Sequence, residues 1–239
     1  MKIALIGYGK MGKAIEAIAK EKGHAIVLKI QQHNKEELTV EHLQHADVAI
    51  ECTSPESAVA HLKICFDAGV PVVCGSTGWL QHWNEVINYC QDKNGSLLFA
   101  SNFSIGVNLF FELNQVLAEM MASHSEYNVQ MEEIHHTQKK DAPSGTAISI
   151  AKDILSRRTD LKEWVSGAAA NSHQLGIVSQ RMDPAPGTHL VQYVSEIDTI
   201  EIKHTAHNRK GFASGAVLAA EFLKGKQGVY AMKDVLRIL

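Results

Sequence analysis

Short apolar runs alternate with segments of helical period along the first hundred residues. Lys2–Ile6, Ala25–Ile30, Val48–Cys52, Val70–Cys74 and Leu97–Ala100 are apolar nearly throughout and are predicted as strands. Between them, Met11, Ile15 and Ile18 recur at helical spacing in a segment ending near Gly23. Pro55 opens a second helical segment running to about Ala68, and a third is predicted around Leu80–Cys90. Strands without polar alternation are strands covered on both faces. Their alternation with amphipathic helices predicts a doubly wound α/β fold around a parallel sheet.

After about Ile105 the pattern changes. Asn108–Met121 reads as a helix, Tyr127–Ile134 as an extended strand, and Thr146–Ser156 as a short helix. Gly176–Arg181, Leu190–Val194 and Thr199–His204 then follow as strands with no helix between them. In the last of these, Ile200, Ile202 and His204 alternate with Thr199, Glu201 and Lys203, as in a sheet with one face in water. These runs predict a second, α+β and mostly antiparallel, domain. Ala213–Lys224 is helical again, and Trp164–His173, the weakest pattern in the chain, is expected as a loop.

Composition narrows the class. With 239 residues, 45% hydrophobic and 21% charged, the chain can bury a core without a disulfide or metal staple. A net charge of -3 argues against a protein that wraps nucleic acid. No apolar run approaches the roughly 18–20 residues that span a bilayer, so no membrane partner is expected. The opening MKIALIGYGKMG carries one Lys and a short apolar run, yet has no small-residue cleavage site, and it reads as a first strand. Cys52, Cys65, Cys74 and Cys90 form no CxxC pair and lie in or beside apolar runs. Reduced thiols in a cytoplasmic protein are expected. Thirteen His include no HExxH and no Cys/His set at zinc spacing, so no metal site is expected.

Gly7-Tyr8-Gly9-Lys10-Met11-Gly12 is GxGxxG, directly after a strand and opening a helix. Gly7 allows the tight turn, Gly9 lets the backbone approach a pyrophosphate, and Gly12 lets helix and strand pack closely. The helix start then offers N–H groups to phosphates. A dinucleotide site usually places Asp or Glu at the end of the second strand to hold the ribose. Here that end reads Lys29-Ile30-Gln31-Gln32-His33-Asn34, with no carboxylate before Glu36 and no Arg to clamp a 2′-phosphate. Gly75-Ser76-Thr77-Gly78 and Ala100-Ser101-Asn102-Phe103-Ser104 follow the fourth and fifth strands. In a parallel sheet both turns lie at the carboxyl edge, where ligands bind.

The stretch Glu133-Ile134-His135-His136-Thr137-Gln138-Lys139-Lys140-Asp141-Ala142-Pro143-Ser144-Gly145-Thr146-Ala147 carries the densest chemistry. Ser144, Gly145 and Thr146 stand where a helix begins, so their N–H groups and hydroxyls can receive a carboxylate. Lys139 can supply a proton or a positive charge to a substrate nitrogen or a developing carbanion. Adjacent His on a strand point to opposite faces, so at most one of the pair faces a given site. A second basic group runs from His204 through His207, Arg209 and Lys210, and Arg181 and Gly187-Thr188-His189 precede it. Together with Lys139, such a set suits a substrate carrying carboxylates.

Together GYGKMG, GSTG, SNFSIGVN, EIHHTQKKDAPSGTA and HNRKGFASGAV make the chain resemble the 4-hydroxy-tetrahydrodipicolinate (dihydrodipicolinate) reductase family over nearly its whole length. The resemblance implies NAD(P)H-dependent reduction in the diaminopimelate route to lysine, by a cytoplasmic homotetramer using NADPH or NADH. It implies His135 as proton donor, His136 as a substrate contact, Lys139 as the catalytic lysine, and Gly145 and Thr146 as carboxylate-binding residues. Cofactor contacts would come from Gly7, Gly9, Lys10, Met11 and Gly12, from Gly75, Ser76 and Thr77, and from Ser101, Asn102 and Phe103. The implied domains are a Rossmann-type dinucleotide-binding domain, residues 1–104 and 210–239, and a substrate-binding and oligomerisation domain, residues 105–209. Two departures stand out: the acidic residue many members carry after the second strand is missing, and the chain is shortened between Ile30 and Val48. An amino-acid or imine reductase of similar fold would share the nucleotide turn without needing HHxxKxDAPSGT. A nonenzymatic NAD(P) sensor would have no use for a lysine between a His pair and an anion turn.

Overall fold

The first strand, β1 (Lys2–Ile6), is buried at every position after Lys2, as a strand covered on both faces must be. The computed structural model describes residues 1–208 and 210–237. After β1 come α1 (Lys10–Glu21), β2 (Ala25–Ile30), the short α2 (Val40–Leu43), β3 (Val48–Glu51), α3 (Pro55–Asp67), β4 (Val72–Cys74), α4 (Trp83–Asp92) and β5 (Ser96–Phe99). Next are α5 (Ile105–Met120), β6 (Asn128–His135), α6 (Gly145–Leu155), β7 (Glu163–Ser166), β8 (Gln174–Arg181), β9 (Gly187–Val194) and β10 (Thr199–Ala206). The chain closes with α7 (Lys210–Leu223), β11 (Gly228–Tyr230) and α8 (Met232–Leu236). It divides into two units, Met1–Ile105 with Lys210–Leu239, and Gly106–Arg209; Arg209, Ile238 and Leu239 lie outside the described residues. No helix among the described residues is long and apolar enough to cross a membrane.

The first unit holds a six-stranded sheet in the order β11-β5-β4-β3-β1-β2, parallel throughout. Strand alternation sorts its core into two layers. Ile3, Leu5, Val48, Ile50, Val73 and Leu98 pack with residues of α1 and α7 on one face. Ala4, Ile6, Ala49, Val72, Cys74 and Leu97 pack with residues of α3 and α4 on the other. The cysteines are all free thiols, and burial pushes the Cys52 thiol up to about 12.

The second unit holds a mixed sheet in the order β10-β9-β6-β8-β7. The antiparallel expectation describes β10, β9 and β6; the pairs β6·β8 and β8·β7 are parallel. Helix α6, between β6 and β8 in the chain, supplies the crossover that a parallel pair requires. Trp164–His173, expected as a loop, instead begins with most of β7, where Trp164, Val165 and Ser166 pair with Leu175, Gly176 and Ile177. A four-residue edge strand with no fully buried position leaves no apolar run to read.

Register places chemistry at one end of one face. Ile177, Met131, Val191 and Ile202 form a cross-strand row that joins the apolar core under α6. One step along the same face, the row becomes Ser179, Glu133, His189 and His204. One step further, His135 pairs with Arg181. The sheet therefore changes from core to polar site within four residues of β6.

Candidate active site

In the first unit, β1 lies between β3 and β2, so the chain winds away from it in both directions. Ligands bind in the crevice beyond the carboxyl ends of strands at such a switch point. Gly7 has φ +97°, and a Cβ there would stand 2.2 Å from the Cys52 carbonyl oxygen. A Cβ on Gly12 would stand 2.3 Å from the Gly7 carbonyl oxygen. The fold itself thus demands both glycines. Among the described residues nothing lies within 4 Å of a Cβ built on Gly9, so no packing among them explains glycine there. Helix α1 starts after Gly9 with no side-chain cap and no acid in its first turn. Its leading N–H groups are unanswered by side chains, which suits the pyrophosphate of a dinucleotide.

A cavity of about 320 Å³ opens at these strand ends. Of the expected cofactor residues, Met11, Gly75, Ser76, Thr77, Ser101, Asn102 and Phe103 line it, whereas Gly7, Gly9, Lys10 and Gly12 do not. Cys52, Thr53 and Pro55 add the turn after β3, and Phe212 and Ala216 come from α7. The rule that pointed to the turns after β4 and β5 applies equally to Thr53-Ser54-Pro55, which sequence reasoning passed over. Beneath the cavity sits Glu51, fully buried. Its carboxylate accepts the Thr53 N–H at 3.0 Å, the Thr53 hydroxyl and the Cys74 thiol. Burial pushes this carboxyl up, but hydrogen bonds from His61, Thr53, Ser76 and Cys74 outweigh it and hold the group below the usual range. The Ser76 hydroxyl in turn accepts the Thr53 N–H at 2.8 Å, and the Ser76 carbonyl accepts the Trp79 indole N–H at 2.8 Å. Two turns that line the cavity are thereby locked to one another.

In the second unit, His135 ends β6 as a buried residue, and His136 follows it half-buried. Lys139 lies in the connection to α6, its Nζ 2.9 Å from both carboxylate oxygens of Asp141. Arg181 donates to the Asp141 carbonyl at 2.6 Å and to the Glu133 carboxylate at 3.1 Å. Ser144 caps α6, its hydroxyl accepting the Ala147 N–H at 3.2 Å and lying 3.3 Å from His189 Nε2. The Ser144 N–H donates to Glu133. Ser144 is therefore committed inward, a correction to its expected role toward a ligand anion. Gly145 and Thr146 are left at the helix start, and among the described residues nothing lies within 4 Å of a Cβ built on Gly145.

Charge is arranged with one anion at the centre. Burial pushes the Glu133 carboxyl up, yet the donors of Ser144 and Arg181 outweigh this and keep it below the usual range. Burial draws the His135 imidazole below its ordinary value, against the pull of Glu133; Lys139 and Arg181 draw it further down. His189 is drawn down to about 3, mainly by burial, and is neutral at physiological pH. Glu133, His135 and His189 bring ligand-type atoms within 4.8 Å of one another. A metal is poorly served there, because Ser144 and the Arg181 cation already occupy the Glu133 oxygens. Glu133 and His189 were not assigned roles from sequence. The signal was Glu133 two residues before His135, on the same strand face. Of the second basic group, His204 faces His189 across β10 and β9, and Arg209 lies outside the described residues.

Comparison with known proteins places these features in a lineage. The family model described as dihydrodipicolinate reductase, N-terminus, matches residues 1–103, and that of the C-terminus matches residues 106–236. A 4-hydroxy-tetrahydrodipicolinate reductase of Christiangramia forsetii is 47% identical over 240 residues, covering 99% of this chain and 98% of its own. One of Methanosarcina acetivorans is 37% identical, covering 98% of this chain and 88% of its own. In fold, the chain is similar to a dipicolinate-bound dihydrodipicolinate reductase from Paenisporosarcina sp. TG-14, with TM-score 0.78, 23% identity, and coverage of 100% and 99% of the two chains. An amine dehydrogenase from Mycobacterium smegmatis shares the fold at TM-score 0.65 and 12% identity, covering 97% of this chain and 95% of its own. Matched by the models of both halves and by relatives along its whole length, the chain belongs to the dihydrodipicolinate reductase family.

Proposed function

We propose that the nucleotide and substrate sites of this reductase are divided between the two units, the first holding a nicotinamide dinucleotide and the second the dicarboxylate. The activity is that of the family: NAD(P)H-dependent reduction of 4-hydroxy-tetrahydrodipicolinate to tetrahydrodipicolinate, in the diaminopimelate route to lysine. Elimination of water takes the hydroxyl from C4 and a proton from the neighbouring carbon, leaving a conjugated double bond, and when bound the nicotinamide would supply a hydride to C4 of that ring. The neighbouring carbon then needs a proton. We assign its delivery to His135, with Lys139 opposing the negative charge that develops before the proton arrives. Gly145 and Thr146 receive a substrate carboxylate at the start of α6, and His136 contacts the substrate. The observation that carries this reading is the row in which His135 and Arg181 pair beside Glu133, which also holds Ser144 at the helix start. Turnover with NADPH or NADH and freshly generated substrate tests it; oxidation of neither cofactor would overturn it.

Thr146→Val keeps the shape of the helix start and removes a donor. A hydrogen bond to a charged group contributes about 1.5–3 kcal/mol, roughly 10- to 150-fold. The loss is expected mainly in substrate KM, with inhibition by pyridine-2,6-dicarboxylate weakened in parallel. Both measurements unchanged would reduce Thr146 to a helix-start residue.

For the cofactor, we propose that NADPH and NADH both serve, with NADPH favoured by less than about tenfold in kcat/KM, one decade being 1.4 kcal/mol. The turn after β2 is tied by Asn34, which accepts the Gln31 N–H at 2.7 Å and donates to the Lys29 carbonyl at 3.0 Å. Lys29 itself lies over the Tyr8 ring and 3.4 Å from Glu16, so its charge is partly answered within the protein. A pair whose lysine reaches solvent contributes about 0–1 kcal/mol. Gln31→Asp should tilt the enzyme toward NADH, by accepting from the ribose hydroxyl and repelling a 2′-phosphate. The check is kcat/KM for both cofactors at one substrate concentration, and a wild-type preference above a hundredfold either way would refute it.

We further propose a homotetramer assembled through the second unit's sheet, where β10 ends the strand order and Val178 is exposed on the open face. Analytical ultracentrifugation tests this. A cytoplasmic location suits the free thiols.

A further inference from the structure

The buried carboxylate of Glu133 touches both halves of the substrate site. Both its oxygens lie 3.1 Å from the Ser144 N–H nitrogen, at the start of α6. Oε2 also lies 3.4 Å from Nδ1 of His135, an ion-pair distance, and that nitrogen, itself buried, makes no hydrogen bond among the described residues. The opposite edge of the ring faces Gly187, where a Cβ would come within 3.1 Å of Nε2. So the imidazole stands with Nδ1 against an anion and Nε2 along an edge that only glycine leaves uncovered.

We propose that Glu133 is a positioning residue that presents the His135 imidazolium through Nε2 while fixing the anion-binding helix start through Ser144. The inference rests on His135 being the proton donor, as assigned above. One carboxylate then sets the distance between the acid and the substrate's carboxylate. It is also the counter-ion that lets a buried imidazole carry charge. Other groups facing His135 do not replace it. Arg181 from β8 and Lys139 from the connection are cations, and Asp141 is paired with Lys139. His189 from β9, edge-on at 5.2 Å between ring centroids, is neutral, and His204 lies beyond it on β10. With His189 neutral, His135 is the one imidazole of the pair that the Glu133 carboxylate faces through Nδ1.

The experiment is Glu133→Gln, which retains an acceptor for Ser144 and removes the charge. The His135 imidazole is followed by NMR titration, without turnover, and compared with the pH profile of kcat/KM. Loss of an adjacent anion disfavours the imidazolium, so the His135 midpoint should fall by about one unit or more. A donor must be protonated before it acts, so activity falls as pH rises through that midpoint. In the variant the fall comes at lower pH, giving about a tenfold or greater loss at neutral pH that shrinks in acid. Should Glu133→Gln not fold, Arg181→Gln probes the same carboxylate from its partly exposed side. Removing that cation should move the His135 midpoint upward. A midpoint unmoved by either substitution overturns the inference, whatever the activity shows. A midpoint that moves while the pH profile stays put supports the tie between Glu133 and His135, and overturns instead the assignment of His135 as the acid.

Discussion

Replacing Lys139 by alanine is expected to lower kcat by about 10²- to 10⁴-fold, the range for a lost acid, base or charge stabiliser in proton transfer. The ammonium is held rather than loose: both Asp141 carboxylate oxygens lie 2.9 Å from Nζ, and Arg181 holds the Asp141 carbonyl in turn. A positive group fixed before the reaction stabilises developing negative charge without having to reorganise. Substrate KM should rise less than kcat falls, because that charge exists only in the transition state. Cofactor affinity should hardly change, since Lys139 belongs to the second unit and the nucleotide turns to the first. Single-turnover rates and NADPH binding to the variant, measured separately, check both halves of the expectation. Wild-type turnover in Lys139→Ala would end the proposed role.

The first unit was legible because its strands are covered on both faces. Val48–Glu51 is buried at all four positions, and such a strand reads as an unbroken apolar run. Where that cover is missing, the pattern fades. β7 is half-buried at most and β11 has three residues, and neither shows in the sequence. The candidate ligand turns were visible because each is one continuous stretch with unusual residues: GYGKMG, GSTG and DAPSGTA. The groups that organise those turns were not. Glu51 sits at the end of an apolar run, and its partners Thr53, Ser76 and Cys74 come from the ends of two strands. His189 reaches Glu133 only through the antiparallel register of β6 and β9, more than fifty residues apart in the chain. A linear reading sees loops that carry function; it does not see the pairing that supports them.

Gly215→Ala should destabilise the protein strongly, whereas Gly9→Ala should spare the fold and injure cofactor binding. A Cβ on Gly215 would stand 1.8 Å from the Phe103 carbonyl oxygen and 2.7 Å from its carbon. Both are backbone atoms, so no side-chain rotation relieves the overlap. Either α7 retreats from the core it shares with Val73 and Leu98, or the turn after β5 moves. Overpacking typically costs about 1–3 kcal/mol, and a backbone clash belongs at or above the upper end. For a chain of this size each kcal/mol shifts Tm by about 2–4 °C, so a fall of roughly 6–12 °C is expected. Phe103 lines the cavity, so cofactor affinity should weaken as well. Gly9 contrasts at every step. It is exposed, meets none of the described residues within 4 Å of its Cβ position, and has φ -82°, which alanine tolerates. Loss of glycine at the helix cap costs about 1 kcal/mol or less, so Tm should fall by no more than about 4 °C. A methyl group there would nonetheless stand where the proposed nucleotide site sets a pyrophosphate against the leading N–H groups of α1, and cofactor Kd should rise at least tenfold. Thermal unfolding without cofactor and NADPH binding by fluorescence separate the two effects. Unaltered cofactor affinity in Gly9→Ala would remove Gly9 from the nucleotide site, and an unchanged Tm in Gly215→Ala would mean that α7 does not rest on the Phe103 backbone.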